Sequence, residues 1–221
     1  MLKPGSLWVL LVGLVVLGLP ALACGLPGQV APTATRQVEI LFQDDFSDPD
    51  SGWDRRQDSD GVTDYTGDGA YRIRVDTPNL EVWANPGRNF KDVQIEVDAT
   101  KVAGPDDNDF GVLCRYVDTQ NFYFFLISSD GYFGIGKKVN GETQVIGAEN
   151  LESHTAIRQG TTTNHIRADC VGNTLSLHVN GTLLRTVNDE ALKEGDVGLI
   201  AGAYAEPGVE IFFDNFMVYK P

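Results

Sequence analysis

Positive charge is scarce in this chain. Its 17 Lys and Arg face 31 Asp and Glu, for a net charge of −14. Nucleic acid and anionic lipid surfaces are gripped through basic patches, so neither is an expected partner. Histidine is scarcer still. His154, His165 and His178 show no metal-ligand spacing and no arrangement that reads as a nucleophilic triad. His165 and His178 fall on polar faces of strand-like text and read as surface residues. Helix-forming text is nearly absent, "NDEALKEG" (188–195) being the one stretch with room for a helical turn or two. No internal repeat, zinc cluster or dinucleotide fingerprint is present. The stretch "GYFGIGKK" (131–138) has the glycines and lysine of a phosphate loop but lacks the final Ser or Thr. A hairpin signal follows it where a helix N-terminus is needed, so a nucleotide is not expected either.

The one long apolar run stands at the start. "LWVLLVGLVVLGL" (7–19), after one Lys and before the small residues "PALAC", reads as a secretory signal over residues 1–23 rather than a spanning helix. Two readings of Ala21-Leu22-Ala23-Cys24 stand side by side. In one, the general signal peptidase cuts after A-x-A and the protein is secreted. In the other, the stretch resembles a lipobox, and lipidation of Cys24 anchors the chain to the cell membrane. Both place the protein outside the cytoplasm. Residues 24–37, rich in Gly, Pro and Thr without apolar period, read as a tether. Residues 38–221 are long enough for one domain with a real core.

Cysteine is limited to Cys24, Cys114 and Cys170. In "FGVLCRY", Phe110, Val112, Cys114 and Tyr116 share one face of a strand; in "HIRADCV", Ile166, Ala168 and Cys170 do. Both later cysteines therefore point to the core side, and in an exported protein a Cys114–Cys170 disulfide is expected.

What fills the rest is alternation. "AYRIRVD", "VQIEVDA", "DVGLIAGAY" and "VEIFFDNFMVY" all run with period two. Asn140-Gly141 and Asn180-Gly181 are the dipeptides that type I′ hairpin turns demand. Many short strands, Gly-rich turns and almost no helix predict an all-β, two-sheet antiparallel sandwich or jelly roll. "DSDGVTDYTGDG" (58–69) is rich in Asp and Gly but misses the calcium-loop register, and reads as a solvated turn region.

The segments "DDFSDPDSGW", "NDFGVLCRYVDTQNFYFFLISSDGYFGIGKKVNGE", "NHIRADCVGNTLSLHVNG" and "FFDNFMVY" resemble bacterial exported domains of the concanavalin A-like lectin/glucanase superfamily, in particular its laminin-G-like and 3-keto-disaccharide-hydrolase-type domains. The resemblance implies two packed antiparallel sheets and carbohydrate as the commonest ligand class. It also implies first and last strands joined at a seam that holds a structural calcium in some relatives. Asp45 and Asp214 are the candidate ligands there, the alternative being two aspartates that cap strand ends. No other cofactor is expected.

The family-16 glucanases of this superfamily carry Glu-x-Asp-x-Glu on one strand, because retaining hydrolysis needs two carboxyls, one ionised and one protonated. Here Glu96 and Asp98 are followed by Thr100, so this strand lacks a proton donor for the leaving group. Binding without chemistry is therefore the leading expectation. In "NFYFFLI", Phe122 and Phe124 share one face and Tyr123 and Phe125 the other; one set enters the core. Tyr123 and Phe125 are assigned to the ligand face, with Trp83 as a further stacking platform and Glu96, Arg115 and Arg167 as hydrogen-bonding groups. A glycoside hydrolase or lyase, and a structural or protein-adhesion domain of the envelope, are the two alternatives.

Overall fold

A computed structural model describes residues 39–221; the signal, lipidation and tether assignments at residues 1–37 lie outside the described residues. Alternating apolar residues build two antiparallel sheets packed face to face. The first sheet contains β1 (Ile40–Asp44), β2 (Arg56–Gln57), β3 (Gly61–Tyr65), β4 (Tyr71–Val75), β6 (Val93–Ala103), β12 (Asn164–Val171), β13 (Thr174–Val179), β14 (Thr182–Asn188) and β16 (Val209–Tyr219). The second contains β5 (Leu80–Ala84), β7 (Asn108–Asp118), β8 (Asn121–Ile127), β9 (Tyr132–Val139), β10 (Glu142–Val145), β11 (Glu152–Ser153) and β15 (Asp196–Ala203).

The spatial order of the first sheet is β14-β13-β12-β6-β16-β4-β3-β2, with β1 also paired to β16. That of the second is β10-β9-β8-β7-β15-β5, with β11 added to β9. Neighbours such as β6–β16 and β7–β15 are far apart in sequence, the crossing connectivity of a jelly roll. First and last strands meet, Asp44 opposite Phe216. Both Asn-Gly hairpins form, with Asn140 at φ 52° and Asn180 at φ 51°.

The core lies between the sheets. Ile95, Val97, Ile166, Ile211 and Phe213 come from one, and Val112, Tyr123, Phe125, Ile135 and Leu199 from the other, all fully buried. Cys114 on β7 and Cys170 on β12 are joined in a disulfide that ties the sheets across this layer. A second, smaller apolar cluster lies on the outer face of the second sheet: Leu113, Phe122, Phe124, Leu126 and Ile200. Strands β7 and β8 are thus apolar on both faces.

Two expectations are corrected. "NDEALKEG" forms no helix; it runs as an extended crossing. Tyr123 Oη donates to Asp189 Oδ1 at 2.6 Å and accepts from the Leu192 amide, while Arg115 Nη1 donates to the Leu192 carbonyl at 2.9 Å. These anchors hold the segment open. Tyr116 does not share the core face of Cys114. Arg115 sits at φ 51° in a bulge that shifts register between Cys114 and Asp118, and the extra residue turns Tyr116 to the outer face.

Candidate functional site

The outer face of the second sheet is built by large and absent side chains in turn. Trp83, Ile200, Gly111, Leu126 and Gly134 are successive register partners across β5, β15, β7, β8 and β9. Gly198, Leu113, Phe124 and Gly136 form the next row. Each glycine leaves a space that a neighbour fills. A Cβ on Gly136 would collide with the Phe124 ring, so that ring lies down over the β9 backbone. The result is a floored trough of about 580 Å³, open along one side. Phe124 and Leu126 belong to its floor, and Trp83, Leu80, Val145 and Leu151 to its walls.

Trp83 joins the trough to a neighbouring aromatic corner. Trp83 and Phe122 lie 5.5 Å apart, and Tyr116 stacks on Phe122 at 5.7 Å. The Lys138 ammonium stands 5.8 Å from both the Trp83 and Phe122 ring centres, within cation–π range. Trp83 and Tyr116 are only half-buried.

The trough itself also carries two carboxyls. Glu81, Gly202 and Asp109 are direct register partners on β5, β15 and β7. Asp109 is 3% exposed, and burial first, then the Glu81 charge, push its carboxyl up to about 7. Burial also raises Glu81, against the opposing pull of Lys138. The Tyr204 hydroxyl lies against Asp109, and burial together with that carboxyl pushes the phenol up. A second depression of about 580 Å³, lined by Asp107, Ser128, Asp130 and Tyr132, continues from the first past Asn79, Leu151 and Tyr204.

The residues expected from sequence do not converge here. Of them, Trp83 alone lines the trough. Tyr123 and Phe125 are fully buried between the sheets and offer no ring to a ligand, so the outward set of that strand is Phe122 and Phe124. Glu96 and Arg167 are register partners on the outer face of the first sheet, on the far side of the sandwich from Trp83. Arg167 is held in a two-point contact with Asp169 at 2.9 and 3.0 Å. Arg115 is 2% exposed and spends its donors on the carbonyls of Lys91, Leu192 and Gly172 and on Asp92 Oδ1.

The Glu96-Asp98-Thr100 row also faces outward from the first sheet. His165 Nδ1 contacts Asp98 Oδ1 at 2.8 Å, and Thr100 pairs with Thr163 at 2.7 Å. At the strand seam, Asp45 is held by Ser47, and Asp214 accepts the Asn215 amide at 2.6 Å. Asp214 is opposite Asp98 in register, while Asp45 lines a separate depression with Asp44 and Asp48. Among the described residues no group of three or more His, Cys, Asp or Glu is placed to hold a metal ion. The Asp58–Gly69 region is a turn and hairpin, with Arg56 bridging Asp58 and Asp60.

No motif in the sequence marks Glu81, Asp109, Tyr116, Lys138 or Tyr204 as site residues. The usable signal is the glycine spacing in "YFGIGKK" and "VGLIAGA": glycines two or four apart mark one strand face, and large neighbours must lie over it.

No family model matches the chain, and no curated protein matches it. Solved structures do. The carbohydrate-binding module CBM66 from Bacillus subtilis superposes with a TM-score of 0.62 at 18% identity, over 76% of this chain and 96% of that one. The chain has the concanavalin A-like jelly-roll fold. A Bacillus licheniformis beta-glucanase shares the jelly roll at TM-score 0.59 and 13% identity, over 81% and 97% of the two chains. The catalytic domain of an endo-1,3-beta-glucanase from Thermotoga petrophila does so at 0.58 and 12%, over 83% and 98%.

Proposed function

We propose that this is an exported glycan-binding module whose site is the trough on the outer face of the second sheet. The observation that carries the reading is the juxtaposition of a half-exposed Trp83 with an apolar floor and, within the same trough, two carboxyls. Sugar rings are amphipathic: their C–H faces stack on aromatic rings while their hydroxyls need donors and acceptors at the edge. A trough with a ring wall and a polar end meets both needs. The carbohydrate-binding module and glucanases that share this fold support the same ligand class.

Binding without chemistry is preferred for the Glu96 strand, because its carboxylates are engaged with His165, Gln94 and Asn215 and lie outside the trough. Export and a lipid on Cys24 complete the proposal: the module is held at the outer face of the cell membrane or released, according to which peptidase acts on residues 21–24.

Affinity electrophoresis of the full exported protein through neutral polysaccharide gels tests the reading. The expected result is retardation in at least one gel and weaker retardation in Trp83→Ala. Release of reducing sugar would shift the assignment to a hydrolase, and absence of retardation in every gel would overturn it.

A further inference from the structure

Asp109 Oδ1 is one of two buried side-chain polar atoms without a hydrogen-bond partner among the described residues. A buried, unpaired carboxyl oxygen is costly, and it calls for a partner from solvent or a ligand. Asp109 lines the trough. A Cβ on Gly202 would lie 2.5 Å from Asp109 Oδ1 and 3.0 Å from its Cγ, so the carboxyl leans across the bare backbone of β15. On the other side of the same glycine stands Glu81. The two residues stand on either side of one strand, and both line the trough.

We propose, resting on the glycan reading above, that Glu81 and Asp109 are the polar anchor of the trough, one accepting and one donating, and that this pair selects uncharged sugars over acidic ones. The groups facing it fix the roles. Lys138 from β9 supplies positive charge at the trough and favours the ionised form of Glu81, while Arg56 from β2, which also lines it, is paired with Asp58 and Asp60. Asp109 is buried and meets the Glu81 charge from β5, both of which oppose a second negative charge, while the hydrogen bond from the Tyr204 hydroxyl favours it and is the weakest of the three influences. Below neutral pH Asp109 therefore keeps its proton and donates, while Glu81 accepts. A sugar diol, with hydroxyls that both donate and accept, matches the pair. A uronate brings another carboxylate to a site that already holds back one charge, and is repelled. As pH rises past about 7, Asp109 ionises, the donor is lost and two like charges face the ligand.

The test is affinity electrophoresis of the full-length protein at pH 5.5 and 8.5 through laminarin, barley β-glucan, xylan, galactan and inulin as neutral probes, and alginate as an acidic one. Wild type is compared with Glu81→Gln, Asp109→Asn and Trp83→Ala. The expected pattern is retardation by at least one neutral probe and none by alginate, with affinity falling about tenfold or more between the two pH values. Asp109→Asn keeps a neutral donor at both pH values, so the affinity it retains no longer falls between pH 5.5 and 8.5. Glu81→Gln weakens binding at both. Trp83→Ala weakens binding but keeps the pH dependence. Carboxyl carbon NMR of the unliganded protein gives a second readout, in which Asp109 titrates near neutrality. No retardation of wild type by any neutral probe overturns the glycan reading and this one with it. Retardation that is equal at both pH values, or unchanged in Glu81→Gln, overturns the anchor alone, and tight binding of alginate overturns the selectivity.

Discussion

Trp83, Tyr123 and Phe125 are all aromatic strand residues, yet only Trp83 keeps part of its ring at the trough. Their substitutions should therefore separate cleanly. Trp83→Ala should weaken polysaccharide binding at least tenfold, the loss of one stacked and partly buried ring, with little change in the urea midpoint. Phe125→Ala should leave a core cavity and cost about 3 to 5 kcal/mol in urea unfolding, without removing any group from the trough. Arg115→Ala removes the donors that serve three carbonyls and should cost about 3 kcal/mol, also read from urea unfolding. Residue type alone does not separate these roles. Arg115 is charged and lies in a strand of alternating text, which normally places a side chain in solvent. Its bulge and the carbonyls around it exist only once β7 has met Lys91, Gly172 and Leu192.

At the scale of elements, the link between β7 and β12 through Cys114 and Cys170 is legible in the sequence, because both cysteines lie on apolar faces with the right parity. The bond joins residues 56 apart in sequence and should contribute about 4 kcal/mol by restricting the unfolded chain. Comparing urea midpoints of wild type and the double Cys→Ala variant checks this. The face of β8 is not legible. "NFYFFLI" is apolar at every position but its first, so period two yields two equally apolar sets. On β9 the outer face carries Gly134 and Gly136, and the Phe124 ring occupies the space that a side chain at Gly136 would fill. The continuation of the trough past Tyr204 is a property of packed elements as well. Oligosaccharides long enough to reach Asp130 and Tyr132 should bind more tightly than disaccharides, and Tyr132→Ala should remove that increment while leaving disaccharide binding intact; calorimetric titration across chain lengths measures it.

Over the whole molecule, the dependence of stability on pH has two limbs. The Asp109 carboxyl has its folded value raised to about 7 from 3.8, so the folded state holds a proton that the unfolded state has released. The contribution of this group is then greatest below the unfolded value and declines as pH rises toward 7, by on the order of 4 kcal/mol if no relaxation intervenes. Asp58, held low by its hydrogen bond to Arg56, acts in the opposite sense: its contribution is present above the usual carboxylate range and fades as pH falls. Thermal melts should therefore show an optimum at mildly acidic pH, and Asp109→Asn should flatten the decline toward pH 8. A protein that carries such a cost at a buried acid with one oxygen unpartnered fits a site built for a ligand better than one built for stability.

The sequence by itself determined the architecture. Period-two alternation, two Asn-Gly turns and core-facing cysteines are local or single-face signals, and each survives into the folded chain because hydrophobic burial holds the parity of the core strands outside the β7 bulge. Tertiary structure alone decided the site. Glu81, Gly202 and Asp109 lie on three separate strands and become neighbours only through the β5-β15-β7 register. A jelly roll makes such rows from strands distant in sequence, so the chemistry of a row cannot be read along any one of them.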